Sequence, residues 1–214
     1  MEDAETSEQW PIRTIRDPAV LRAMAHPLRL RLIELLAVHG PATATRLAAQ
    51  VGESPANCSW HLRQLAAGGY IEEAPGGTGR RRLWKFVETG HCYGGADDEP
   101  ELAAAGQAAG AIQLEHEVDR LRHWRAARTD ESPEWREAVF STNSIAWLTA
   151  DELAALNREV MDLYLRHIQR HFAPETRPAG SRPVRLVAWG ITDTDLETPA
   201  EPDTPADAGR RPRS

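Results

Sequence analysis

Cysteine is nearly missing: the 214 residues hold only Cys58 and Cys92. Two thiols so far apart cannot form a disulfide framework or a thiolate zinc site, and they suit a reducing compartment. No apolar run approaches the roughly 20 residues that crossing a bilayer requires. The acidic opening Met1-Glu2-Asp3-Ala4-Glu5 lacks the basic and apolar zones of a secretory signal, so a cytoplasmic protein without a membrane partner is expected. Lysine is scarce as well, with Lys85 alone among 25 basic residues. That bias fits a GC-rich genome and carries no functional weight. Gly-rich phosphate loops, a nucleophile elbow and an acid pair at catalytic spacing are all lacking, so neither an enzyme nor a cofactor is expected.

What is present describes an ordinary folded chain. Hydrophobic residues make up 41% and charged residues 27%, which excludes both a wholly disordered polymer and a membrane bundle. The net charge of −7 argues against a polyanionic partner until it is divided along the chain. Residues 11–90 hold 11 basic and 6 acidic side chains, a net of +5, whereas residues 91–191 sum to −5. A local basic patch, not the total, governs contact with nucleic acid.

Composition divides the chain into a polar, disordered N-terminal tail (1–16), a compact region (17–90), a second region (100–191) for dimerisation or an effector, and a disordered tail rich in Pro, Asp and Thr (192–214). Gly94-Gly95 and Asp97-Asp98-Glu99-Pro100 separate the two compact regions. Asp17-Pro18 signals a short helix with Val20, Leu21 and Met24. Pro27 opens a second, with Leu28, Leu32, Leu35 and Leu36 on one stripe up to Gly40-Pro41. Thr43 caps a third with Leu47, Ala48 and Val51, ended by Gly52. Ser54-Pro55 opens a fourth, in which Cys58, Leu62 and Leu65 fall at i, i+4 and i+7. That stripe is buried, and Asn57, Trp60, Arg63 and Gln64 point outward. The extended runs 70–73 and 83–87 then flank the Gly-rich basic loop Pro75-Gly76-Gly77-Thr78-Gly79-Arg80-Arg81-Arg82, as in a β-hairpin with a long tip. Three helices, a turn, a fourth helix and a hairpin is the order of a winged helix-turn-helix domain.

The stretch Leu21-Arg22-Ala23-Met24-Ala25-His26-Pro27-Leu28-Arg29-Leu30-Arg31-Leu32, followed by Ser59-Trp60-His61-Leu62-Arg63-Gln64-Leu65, resembles the ArsR-type winged helix transcriptional regulators. The resemblance covers about residues 17–90. It implies a homodimeric bacterial repressor or activator that binds double-stranded DNA, the fourth helix in the major groove and the wing on phosphate or in the minor groove. On that basis Ser54, Ala56, Asn57, Ser59 and Trp60 form the groove-facing start of the recognition helix, and Arg80, Arg81 and Arg82 the wing. Pro55 and Ala56 depart from the small polar pair often found there. Metal-sensing members carry a cysteine pair on the third helix, whereas Ala44-Thr45-Arg46-Leu47-Ala48-Ala49-Gln50-Val51 offers no thiolate or imidazole. His116, Asp119 and His123 do not have the spacing of the family's C-terminal metal site.

Beyond residue 100 the sequence predicts one long helix to Arg128. Leu102, Ala105, Ala109, Ile112, Leu114, Val118 and Leu121 form a seam for a partner helix, and Gly106 and Gly110 permit close approach to another subunit. Thr149-Ala150-Asp151-Glu152 is a capping box before an amphipathic helix bearing Leu153, Leu156, Val160, Leu163, Tyr164 and Ile168. Residues 182–189 read as a strand, and 138–148 as an extended stretch. The whole is mainly α with a small β component: a winged helix-turn-helix domain, a long helix and a small α+β C-terminal region. Trp124, Trp135, Phe140 and Trp147 could line a pocket for an unknown small-molecule effector or form a dimer core, and the core is preferred. Two alternatives to a DNA-binding regulator remain open: a winged helix that contacts a protein, and a metal-dependent protein using His116, His123, His167 or His171.

Overall fold

The computed structural model describes residues 12–87, 90–92 and 99–193. Residues 1–11 and 194–214, with Gly94-Gly95 and Asp97-Asp98, lie outside the described residues. Each helix of the first region begins where its capping chemistry predicts. Asp17 Oδ1 accepts the Ala19 N–H at 2.8 Å ahead of α1 (Pro18–Met24). His26 caps α2 (Pro27–His39) through Nδ1, which accepts the Leu28 N–H at 3.1 Å. Thr43 caps α3 (Ala44–Val51), and Gly52 leaves it in the left-handed region at φ 72°, which lets the chain turn sharply into the next helix. Ser54 Oγ accepts the Asn57 N–H at 3.1 Å and starts α4 (Pro55–Ala67).

Ile12–Thr14 (β1) and Ala42–Thr43 (β2) precede the hairpin strands β3 (Ile71–Ala74) and β4 (Leu83–Phe86), and Gly90–Cys92 (β5) follows them. The antiparallel register Ile71↔Phe86 to Ala74↔Leu83 joins β3 to β4, and β2 takes the other edge of β4 in the order β2-β4-β3. Residues 12–14 were read as part of the N-terminal tail. They pair in parallel with β5, and Ile15 is buried behind them, because this short segment closes the open side of the core.

The core gathers Leu21, Leu32, Leu36, Leu47, Leu62, Leu65, Ile71 and Trp84. Tyr70 joins them and satisfies its hydroxyl by donating to Val20 O at 3.1 Å. On α2 the buried stripe is Leu30, Leu32, Leu35 and Leu36, with Leu28 only half-buried, one position out of the phase read from sequence.

Helix α5 (Pro100–Ala127) forms as one 28-residue element, about 42 Å long. Its first half belongs to the winged-helix core: Leu102, Ala105, Gly106 and Ala109 are buried, with α1 as the main neighbour. The close approach that Gly106 allows is therefore used within the chain. Further along α5, Leu114 and Leu121 are exposed and Val118 half-buried.

Helices α6 (Pro133–Ala138), α7 (Ala150–Leu165) and α8 (Gln169–Phe172) follow. The capping box at Thr149 and Glu152 is complete, yet α7 buries no residue. The α+β character expected of the C-terminal region is not realised, since among the described residues beyond Cys92 no strand forms. Residues 182–189 lack a neighbouring strand within the chain, and a strand without a ladder partner is not stable alone.

Beyond the packed first half of α5, charge ties the C-terminal region to the winged helix. Glu34 on α2, its side chain 18% exposed, accepts from His116 Nε2 at 2.7 Å, from Arg120 at 3.1 Å and from Arg31 at 3.2 Å. Arg185 also bonds Glu34, and reaches Glu117 at 2.8 Å. Burial works against the Glu34 carboxylate, but the hydrogen bond from His116 and the charge of Arg185 outweigh it and hold its pKa at about 2. A carboxylate depressed in this way stabilises the fold above its ordinary value of 4.5, and that contribution fades as the pH falls toward 2. Glu34→Gln is expected to cost about 2 to 3 kcal/mol at pH 7. Thermal unfolding of variant and parent should converge below pH 4.5, and a constant difference down to pH 3 would disprove the linkage.

Candidate nucleic-acid interface

Helix α4 is packed by one face and open on the other. Cys58, Leu62 and Leu65 are fully buried, as the spacing predicts, and burial followed by the charge of Glu53 pushes the Cys58 thiol above its ordinary value, which keeps it unreactive. Trp60 stands 48% exposed on the opposite face. Ser54, Ala56, Arg63 and Gln64 are exposed, and Asn57 and Ser59 half-buried. Two local bonds set the shape of this face. Arg63 Nη1 donates to Ser59 Oγ at 2.8 Å, and Asn57 Nδ2 donates to Glu53 Oε2 at 3.0 Å. A row of hydroxyl, amide, guanidinium and indole groups on the exposed face of a helix has the donors and acceptors that base edges require.

The wing carries the other basic group. A 3-10 turn at Gly79–Arg81 forms its tip, with Arg81 exposed; the side chain of Arg80 lies outside the described residues. Gly77 is required by close approach, since a Cβ there would lie 2.5 Å from both Arg81 O and Leu83 N. Arg82 is not free for phosphate. Its guanidinium pairs with Glu73 at 2.9 Å and lies 5.6 Å from the Trp84 ring centroid, while Lys85 pairs with Glu72 at 2.8 Å across the hairpin. Two of the four basic side chains at 80–85 thus brace the wing itself.

One group at this site escaped the sequence reading. His61 is only 5% exposed, and its Nδ1 is buried without a partner. Its ring lies 4.4 Å from that of His26 and 4.7 Å edge-on from Trp60. Arg29 joins the cluster by charge; its Nη2 donates to Arg22 O at 2.8 Å, while its Nε is buried without a partner. The spacing 58, 61, 62, 65 already put His61 on the buried stripe. Burial, then the nearby cations, lower both imidazoles from 6.5, and Glu53 opposes weakly. His26 Nδ1 is already an acceptor for the α2 cap, which fits a neutral ring, and burial favours the neutral form of His61. A depressed histidine stabilises the fold above pH 6.5 and less below it, as the unfolded chain takes up the protons first. The melting temperature is expected to fall from pH 7 to pH 5, and His61→Phe to flatten that dependence. A variant with the parent's full slope would remove His61 from the account.

The histidines considered as metal ligands are dispersed. His116 is held by Glu34, and His123 lies with Nδ1 2.7 Å from Asp119 O. His167 falls in the turn between α7 and α8, whereas His171 packs edge-on to Phe86 at 6.4 Å. Among the described residues no cluster of three or more His, Cys, Asp or Glu could hold a metal ion, and no helix is long and apolar enough to cross a membrane.

Fold and site together define a helix-turn-helix protein with a wing. Residues 24–73 match the family model described as a helix-turn-helix domain, a span that runs from the end of α1 into β3 and contains α2, α3 and α4. No curated protein matches the chain.

Proposed function

We propose that this chain is a sequence-specific DNA-binding transcriptional regulator of the ArsR-like winged helix type, acting in the cytoplasm as a homodimer without the family's cysteine metal site. The observation that carries this reading is the open face of α4. Trp60, Arg63 and Gln64 stand out from a helix whose opposite side is locked into the core, on the third of the chain that concentrates positive charge. Ser54, Ala56, Asn57 and Ser59 lead into the groove, and Arg80 and Arg81 follow the flanking phosphates, with Arg82 bracing them. Selection of bound duplexes from a random pool by the full-length chain is the direct test. Enrichment of a motif with two half-sites about one helical turn apart, bound with a steep salt dependence, is expected. Failure to enrich any sequence would leave a winged helix that contacts a protein partner.

The same assay tests the metal reading. Operator affinity should not change on adding zinc, cadmium, arsenite or a chelator, because α3 offers no ligand. Release of DNA by micromolar metal would overturn it.

A further inference from the structure

The C-terminal region carries two straight runs that nothing among the described residues completes. Residues 139–149 and 181–193 contain no helix, turn, bend or ladder. Within 140–148 and 182–193 no backbone hydrogen bond forms among the described residues. Both runs expose large apolar side chains: Phe140 at 75% and Trp147 at 83% on the first, Trp189 at 66% on the second, with Ile145, Val184 and Ile191 also open. Beyond Ala109 no described residue is buried, so the region has no core of its own.

The two runs differ in how they are held. Run 181–193 is fastened down: Arg182 bonds Glu131 through both terminal nitrogens at 2.8 and 3.0 Å, Arg185 grips Glu117 and Glu34, and Gly190 abuts Leu153 of α7. It borders an open groove of about 310 Å³ with Leu114 and Tyr164. Run 139–149 has no such anchors among the described contacts. The chain therefore presents one anchored run and one unanchored run of similar length.

We infer that a second copy of this chain completes the pair, with residues 139–148 of each copy adding as a β-strand to residues 182–189 of the other. The inference rests on the homodimer proposed above and names segments that complete it alongside the exposed α5 stripe of Leu114, Val118 and Leu121, both contacts being needed for association. Unpaired N–H and C=O groups along a straight run are a template for strand addition. Twofold symmetry makes the exchange reciprocal and leaves no open end. The large side chains exposed on the two runs present on the order of 1,000 Å² per copy, above the roughly 800 Å² per partner of a standard interface. Charge fits as well. Residues 91–191 carry a net −5 and repel their own copy, but 139–148 contains no charged residue, and in 182–189 the charges of Arg182 and Arg185 are paired with Glu131, Glu34 and Glu117.

Hydrogen exchange on the full-length chain at several concentrations reads the pairing directly. The amides of 140–148 and 183–189 should exchange at least about tenfold more slowly where dimers form than at high dilution. Leu186→Pro and Val187→Pro provide the second measurement. Consecutive N–H groups of a strand point to opposite edges, so one of the two removes a ladder bond, and that variant should sediment as a monomer with its helical signal unchanged. A dimer whose two runs exchange freely, or in which both proline variants still associate, overturns the strand exchange and leaves a dimer built on another surface. Protection that does not vary with concentration places the pairing inside one chain. A chain monomeric at every concentration overturns the homodimer as well.

Discussion

A chain in which Arg80, Arg81 and Arg82 are all alanine is expected to bind every duplex more weakly, roughly 30-fold at 0.15 M salt, with no change in sequence preference. The size of the effect follows from the pairing seen at the wing. Three free guanidiniums would release counterions from three phosphates, but Arg82 is engaged by Glu73 and lies against Trp84. The slope of log affinity against log salt should therefore flatten by about 2, not about 3. Arg82→Ala alone should instead loosen the hairpin and leave the slope almost unchanged. Titration of a labelled duplex at four salt concentrations distinguishes these results. An unchanged slope in the triple variant would remove the wing from the interface.

The larger effect is expected at the second half of α5. Leu114 and Leu121 are exposed and Val118 half-buried, on one stripe, and their burial in a dimer is worth about 1.5 to 3 kcal/mol each. In the proposed dimer Val118→Glu would put two like charges near the symmetry axis. The variant should sediment as a monomer with unaltered helical content, because the buried part of α5 ends at Ala109. Affinity for a full operator should fall by about 10² to 10⁴, as the second recognition helix is no longer tethered to the first. A Val118→Glu chain that remains dimeric and binds as before would place the association elsewhere.

Much of the first region was legible because its signals are local. Ser54-Pro55 and Gly68 frame α4 through caps that reach only three or four residues along the chain, and Cys58, Leu62 and Leu65 fix its buried face by spacing alone. His61 was passed over although it shares that stripe, because a histidine does not advertise burial, and its neighbour His26 is remote in sequence. The strand β1 could not be read for a similar reason: three residues acquire meaning only when they meet Gly90–Cys92 across the whole domain. Glu34 looked like one more charge on a helix, since its partners lie on α5 and at Arg185. Residues 182–189 illustrate the reverse. Their pattern is that of a strand, but the pattern specifies a face and not a neighbour, and among the described residues no strand lies beside them.

Helix α5 begins inside the winged-helix core and continues unbroken to Leu121 and beyond, so in the proposed dimer no hinge would separate α4 from the symmetry axis. In the proposed dimer the two reading heads are thus set at a fixed distance and a fixed rotation. One base pair inserted between the half-sites shifts the far one by about 3.4 Å and turns it by roughly 34° around the duplex. A protein with tethered heads would absorb that change, whereas this one must twist the DNA or release a head. Its operators should accordingly be strict in spacer length while tolerant of spacer sequence.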